Sequence, residues 1–155
     1  KPFTISNPLT VRDNEVLVPL NDFMQFFVYR MQVKEKSGEI IFTLDKGKVK
    51  QMQDIATSLQ ITVDDVNAAQ EINGETKQIE LKTPPIRIEV VKGEEKQIYI
   101  PVKLLPILTG KDVIWDANTF TLTFREKSNI ILNTDMPEAS IVSNATYKER
   151  TRYSD

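Results

Sequence analysis

The chain has 155 residues, 40% of them apolar and 27% charged, enough for one globular domain with a core of its own. Its 20 basic and 22 acidic residues are interspersed and leave a net charge of −2, so no basic stripe marks it for nucleic acid or an anionic membrane surface. Histidine and cysteine are both absent, which removes the usual transition-metal ligands, the thiol nucleophile and every disulfide; no cofactor or redox role is expected. No stretch is apolar for long enough to span a bilayer, and a start at Lys1 without a signal segment reads as a mature or trimmed chain.

Residues 1 to 12 offer two short extended pieces, Phe3 to Ile5 and Leu9 to Val11, parted by the Asn7-Pro8 turn signal. Asp13-Asn14 reverses the chain into a strand over Glu15 to Val18, which Pro19 ends. Leu20, Phe23, Met24 and Phe27 then recur with helical spacing, and Asn21 or Asp22 is placed to cap that short helix. Met31 and Val33 alternate as a strand, Glu35 to Gly38 turns, and Glu39 to Leu44 returns. Lys48 to Met52 is read as a strand in a polar stretch. Leu59 to Val63 alternates with period two, Asp64-Asp65 turns, and Val66 to Ile72 leads to Asn73-Gly74, whose residue types suit the two positive-φ positions of a type I′ hairpin. Its partner is Lys77 to Leu81, after which Thr83-Pro84-Pro85 blocks ladder pairing.

The second half repeats the plan. Strands are predicted at Ile86 to Val90 and Gln97 to Ile100, with a turn at Lys92 to Glu94 between them. A helix begins near Val102 or Lys103 with Pro106 in its first turn and stops at Gly110; Val113 to Trp115 and Thr119 to Phe124 form a hairpin, with Phe120, Leu122 and Phe124 on the buried face. Ile130 to Leu132 is one more edge strand, and Asn133 to Asp155 is read as a tail or linker without period.

Setting Pro19 on Pro101 aligns Val16 to Phe42 with Ile98 to Phe124 at an offset of 82 without gaps, and apolar meets apolar throughout: Phe23 on Leu105, Phe26 on Leu108, Val33 on Trp115, Phe42 on Phe124. The expected architecture is therefore α+β, two pseudo-repeats (about 1–58 and 59–125) that each form a small antiparallel sheet with one short helix, followed by a tail over 126–155.

The residues Ile100-Pro101-Val102, Gly110, Val113, Trp115-Asp116, Thr119, Thr121 and Phe124, preceded by Asn73-Gly74, Leu81 and Pro84-Pro85, resemble the copper amine oxidase N-terminal-like, or stalk, domain over roughly residues 9 to 125. That family usually carries an Arg directly after the V-P-L and a Glu four residues later; here the pairs are Asn21 with Gln25 and Lys103 with Ile107, and Val28 replaces the helix-ending Gly in the first copy. The resemblance implies a non-catalytic accessory module of secreted or cell-wall-associated proteins, chiefly Gram-positive. It would be extracellular or in the wall, and would act as a spacer or bind wall polymer or a neighbouring domain. It does not imply copper, which the oxidase holds on catalytic-domain histidines.

Chemistry-bearing residues have plainer readings. Trp115, in phase with Val113, is read as core rather than a sugar platform. Asp116 with Asn118, and Asp64-Asp65, cap turns, since two oxygens fall short of a calcium site's six to eight. The serines lack a histidine base, and the Asn144-Ala145-Thr146 sequon matters only in a eukaryotic secretory setting. The rival function, a small carboxylate-dependent glycan hydrolase or enzyme-inhibitory domain, would rest on Glu94 and Glu95, with Glu89 nearby. Recognition is expected where the copies differ, on the helix faces carrying Asn21, Asp22, Gln25, Lys103 and Ile107.

Overall fold

The computed structural model describes residues 2–127, 130–132 and 139–142; most of the expected tail, and the Asn144 sequon, lie outside them. The fold is a small α+β one, made mostly of antiparallel sheet with two short α-helices. A central sheet has the order β10-β11-β3-β2, formed by Ile86–Ile88 (β10), Gln97–Pro101 (β11), Glu15–Pro19 (β3) and Thr10–Arg12 (β2). In β3 the residues from Val16 to Pro19 are all buried, an unbroken run that suits a strand covered on both faces.

Two further sheets flank it. One is a five-stranded meander of Tyr29–Lys34 (β4), Glu39–Leu44 (β5), Ser58–Thr62 (β7), Asn67–Ile72 (β8) and Glu75–Glu80 (β9), in the order β4-β5-β7-β8-β9. The other joins Lys111–Asp116 (β12) and Thr121–Glu126 (β13) to Ala139–Val142 (β15) and Pro2–Thr4 (β1), with β1 parallel to β15. A small ribbon pairs Val49–Met52 (β6) with Ile130–Leu132 (β14). The strand Ala139–Val142 departs from the expected tail. It lies between β1 and β13, so its backbone groups are satisfied by one strand from the start of the chain and one from the second half, a pairing that no local pattern announces.

The two helical segments have the expected extent, but each is divided between α and 3-10 geometry. Leu20–Phe23 (α1) starts directly after Pro19 and runs into a 3-10 turn over Met24–Phe26; Asn21 and Asp22 do not cap it, because they fall inside the first turn. In the second half the order is reversed, a 3-10 turn over Val102–Leu104 preceding Leu105–Thr109 (α2), with Pro106 in the first turn and Gly110 ending the helix at φ 68°. Both hairpin turns at Asp13-Asn14 and Asn73-Gly74 hold two successive positive-φ residues, as type I′ geometry requires. Phe120 is a correction: it sits in the turn at φ 53° and packs edge-on against Trp115 at 5.8 Å, instead of lining the buried face with Leu122 and Phe124.

Three strands recur with the same bounds 82 residues apart, β3 as β11, β4 as β12 and β5 as β13, and the helical segments after β3 and β11 begin at the same offset. The strands β3 and β11 do not stand in separate sheets, one per half. They pair with each other, and Val18 faces Ile100, its own counterpart, which is the register that a local two-fold axis between them would produce. Apolar side chains of both halves form one cluster. Phe23 and Phe26 stack on Phe124 at 6.5 and 6.1 Å, Phe27 meets Phe42 at 5.8 Å, and the Val28 amide donates to the Leu108 carbonyl at 2.8 Å. Each such buried side chain contributes about 1.5–3 kcal/mol, so the halves stabilise each other.

Candidate functional site

The five side chains expected to form a recognition surface each make contacts of their own. Asp22 is committed to structure, its carboxylate accepting from the Asn7 amide at 2.7 Å and the Asn7 side chain at 2.9 Å, which ties the Asn7-Pro8 turn to α1. Gln25 donates to the Asp22 carbonyl and Lys103 to the Glu80 carbonyl, both on the exposed surface. Ile107 lines a cavity of about 100 Å³ beneath α2, with Tyr29, Asp54, Ile55, Gln70 and Lys127. Tyr29 donates its hydroxyl to the Ala56 carbonyl at 2.5 Å there, and burial pushes its phenol well above the ordinary range. Only Asn21 borders the more polar groove described next.

That groove, about 250 Å³, lies where the start of α1, the end of β4, β10 and the start of β11 meet. Its apolar lining is Leu20, Val33 and Ile98; its polar lining is Asn21, Gln97, Glu35, Arg87, Glu95 and Lys96. The sequence dictates this meeting through three local facts. Pro19 starts α1 beside β11, Glu35 opens the β4–β5 turn, and residues 89–96 make an eight-residue loop between β10 and β11 where the β2–β3 connection has two. Arg87 is held in place by Glu35, donating Nη2 to its backbone carbonyl at 3.3 Å and lying 3.9 Å from its carboxylate. Across the groove the Asn21 amide reaches the Gln97 side-chain carbonyl at 3.5 Å. Glu35, Arg87, Lys96 and Gln97 were missed as site residues. The unequal loop lengths and the Val33–Trp115 mismatch were the signals in the sequence.

The other candidate residues hold turns or pack. Asp116 accepts from the Asn118 amide at 2.9 Å, and Asp65 from the Asn67 amide at 2.8 Å. Trp115 is half-buried and packs against the core. Glu94 and Glu95 are both exposed on the 89–96 loop, and only Glu95 reaches the groove. Among the described residues no group of three or more carboxylates is placed to hold a metal ion, and no helix is long and apolar enough to cross a membrane. The chain matches no model of a known protein family, no curated protein and no solved structure.

Proposed function

We propose that this chain is a non-catalytic accessory module of a secreted or cell-wall-associated bacterial protein, of the copper amine oxidase N-terminal-like, or stalk, type. It is built from two copies of one unit and positions a neighbouring domain against wall polymer. The observation that carries this reading is the pairing of β3 with β11, Val18 opposite Ile100, over one shared apolar cluster. A module that must carry a neighbour at a set position needs its halves locked together, and a central sheet made jointly by both halves does that. The carboxylates of Asp22, Asp45, Asp65 and Asp116 support the same reading, because each accepts from a backbone amide at a turn or segment junction. Sedimenting isolated cell-wall sacculi with the intact chain tests it. Co-pelleting is expected, and complete recovery in the supernatant would leave only the spacer role.

A glycan hydrolase is the second reading, favoured by one observation: Glu35 and Glu95 line the same groove. A proton-donating carboxyl for glycosidic cleavage is normally desolvated, whereas the Glu35 side chain is 77% exposed beside Arg87. Reducing-sugar release from wall glycan that vanishes in both Glu35→Gln and Glu95→Gln would establish the hydrolase; no release by the intact chain is expected.

A further inference from the structure

We propose that the groove between α1, β4, β10 and β11 is a binding site for a neutral pyranose unit of a glycan. The inference deepens the wall-polymer reading, on which it rests for the source of the sugar and not for the chemistry. Three features point to this ligand class. The four charged groups of the lining, Glu35, Glu95, Arg87 and Lys96, sum to zero, and Arg87 already has Glu35 as its counter-ion. An anion would have to displace that carboxylate, and a cation would have to displace the guanidinium, so a neutral ligand is favoured. Each hydroxyl of a sugar both donates and accepts. It is matched here by acceptor-only carboxylates, donor-only cations and the amides of Asn21 and Gln97, which do both. The aliphatic carbons of Leu20, Val33 and Ile98 supply an apolar floor for the C–H face of a ring. At about 250 Å³ the groove lies just below the span of drug-sized pockets, which suits one ring and not an extended chain.

Comparison of the two halves locates the groove where they differ. Val33 and Trp115 have the same place in their hairpins, opposite Ile40 and Leu122, and both are half-buried. Where the second half sets an indole packed on Phe120, the first has only an isopropyl group and leaves room. Asn21 stands in the place of Lys103, Glu35 in the place of Ala117, and the longer loop adds Glu95 and Lys96 to the rim. A duplicated fold would thus keep one copy of the position filled and the other open.

The test is a titration of the intact isotope-labelled chain with glucose, galactose, mannose and N-acetylglucosamine, followed by NMR through the Asn21 and Gln97 side-chain amides and the Arg87 guanidinium. A single ring at such an open site should bind with a dissociation constant of order 1 mM, moving those signals and leaving those of β8 and β9 still. Val33→Trp, which copies the second half, should weaken binding at least tenfold. Asn21→Ala, at an exposed position, should weaken it several-fold. No movement with any of the four sugars, or binding by Val33→Trp equal to that of the parent chain, would overturn the inference. Sacculus pelleting of the same proteins keeps the two proposals apart. Pelleting by the parent chain without sugar-induced shifts places wall contact elsewhere and overturns the groove assignment alone, whereas sugar-induced shifts without pelleting uphold the groove and remove the wall reading.

Discussion

Phe124 is where the coupling between the two halves can be measured. It lies on β13 and is 1% exposed, with its ring against Phe23 and Phe26 of the first half at 6.5 and 6.1 Å. Phe124→Ala removes that ring from a site with little freedom to collapse, and such truncations cost about 3–5 kcal/mol, the two aromatic contacts included. Against a total stability of about 5–15 kcal/mol this is a large fraction. With a urea slope of about 2 kcal/mol per molar, the midpoint should fall by about 2 M. Trp115 is the only tryptophan and stands on β12, so its fluorescence follows the second half, while far-UV circular dichroism follows every strand. Both probes should report one transition, shifted together. A dichroism curve that splits, one part keeping the parent midpoint while the fluorescence moves, would refute the claim that β3, β11 and the shared aromatic cluster make one cooperative body.

Four other substitutions probe local features. Gly38 adopts φ 76°, and a Cβ there would stand 3.2 Å from the Val63 Cβ, whereas at Gly74, φ 81°, nothing lies within 4 Å. Gly38→Ala should therefore lose more than the roughly 1–2 kcal/mol expected of Gly74→Ala, read as the larger drop in melting temperature; equal drops would mean that Val63 yields freely. The Thr83 hydroxyl is buried with no hydrogen-bond partner among the described residues, so Thr83→Val should raise stability by about 1 kcal/mol in urea unfolding, and a fall would show that the hydroxyl is satisfied. The Tyr29 phenol is raised by burial from its ordinary value of 10.0, so the folded chain holds that proton more tightly than the unfolded one. Its contribution is fully present below pH 10 and is lost as the pH climbs above, at up to about 1.4 kcal/mol per unit. Tyr29→Phe should flatten that alkaline slope in denaturant titrations, at the expense of leaving the Ala56 carbonyl without its donor.

What the sequence made legible was local. Alternation placed Glu39 to Leu44 within its observed bounds, paired residue types placed the hairpin at Asn73-Gly74, and Gly110 ends its helix in the left-handed conformation that a C-terminal glycine allows. Pairings over long separations were not legible. Nothing in Val16 to Pro19 says that its neighbour is Gln97 to Pro101 rather than a strand of its own half, because either choice buries the same apolar residues. The strand Ala139–Val142 is too short to show a period and is defined by its ladder to β1 and β13. Phe120 misled for a related reason: its spacing from Leu122 fits a strand face, but the turn claims it in a conformation that a bulky residue rarely adopts.

The groove follows the same division. Each of its residues, taken alone, reads as a solvated charge or a strand hydrophobe, and Glu35 and Arg87 are too far apart in sequence for any motif to join them. They meet because the central sheet is shared, which brings the β4–β5 turn of one half against the β10–β11 loop of the other. Had each half closed its own sheet, Asn21 and Gln97 would lie on separate bodies and no groove would form between them. The joint sheet that pairs β3 with β11 is thus also what assembles the polar lining. The departures between the halves, Val33 for Trp115 and a loop of eight residues for a turn of two, then act on one side only. On the reading proposed above, it is the difference between the halves, and neither half alone, that opens the groove.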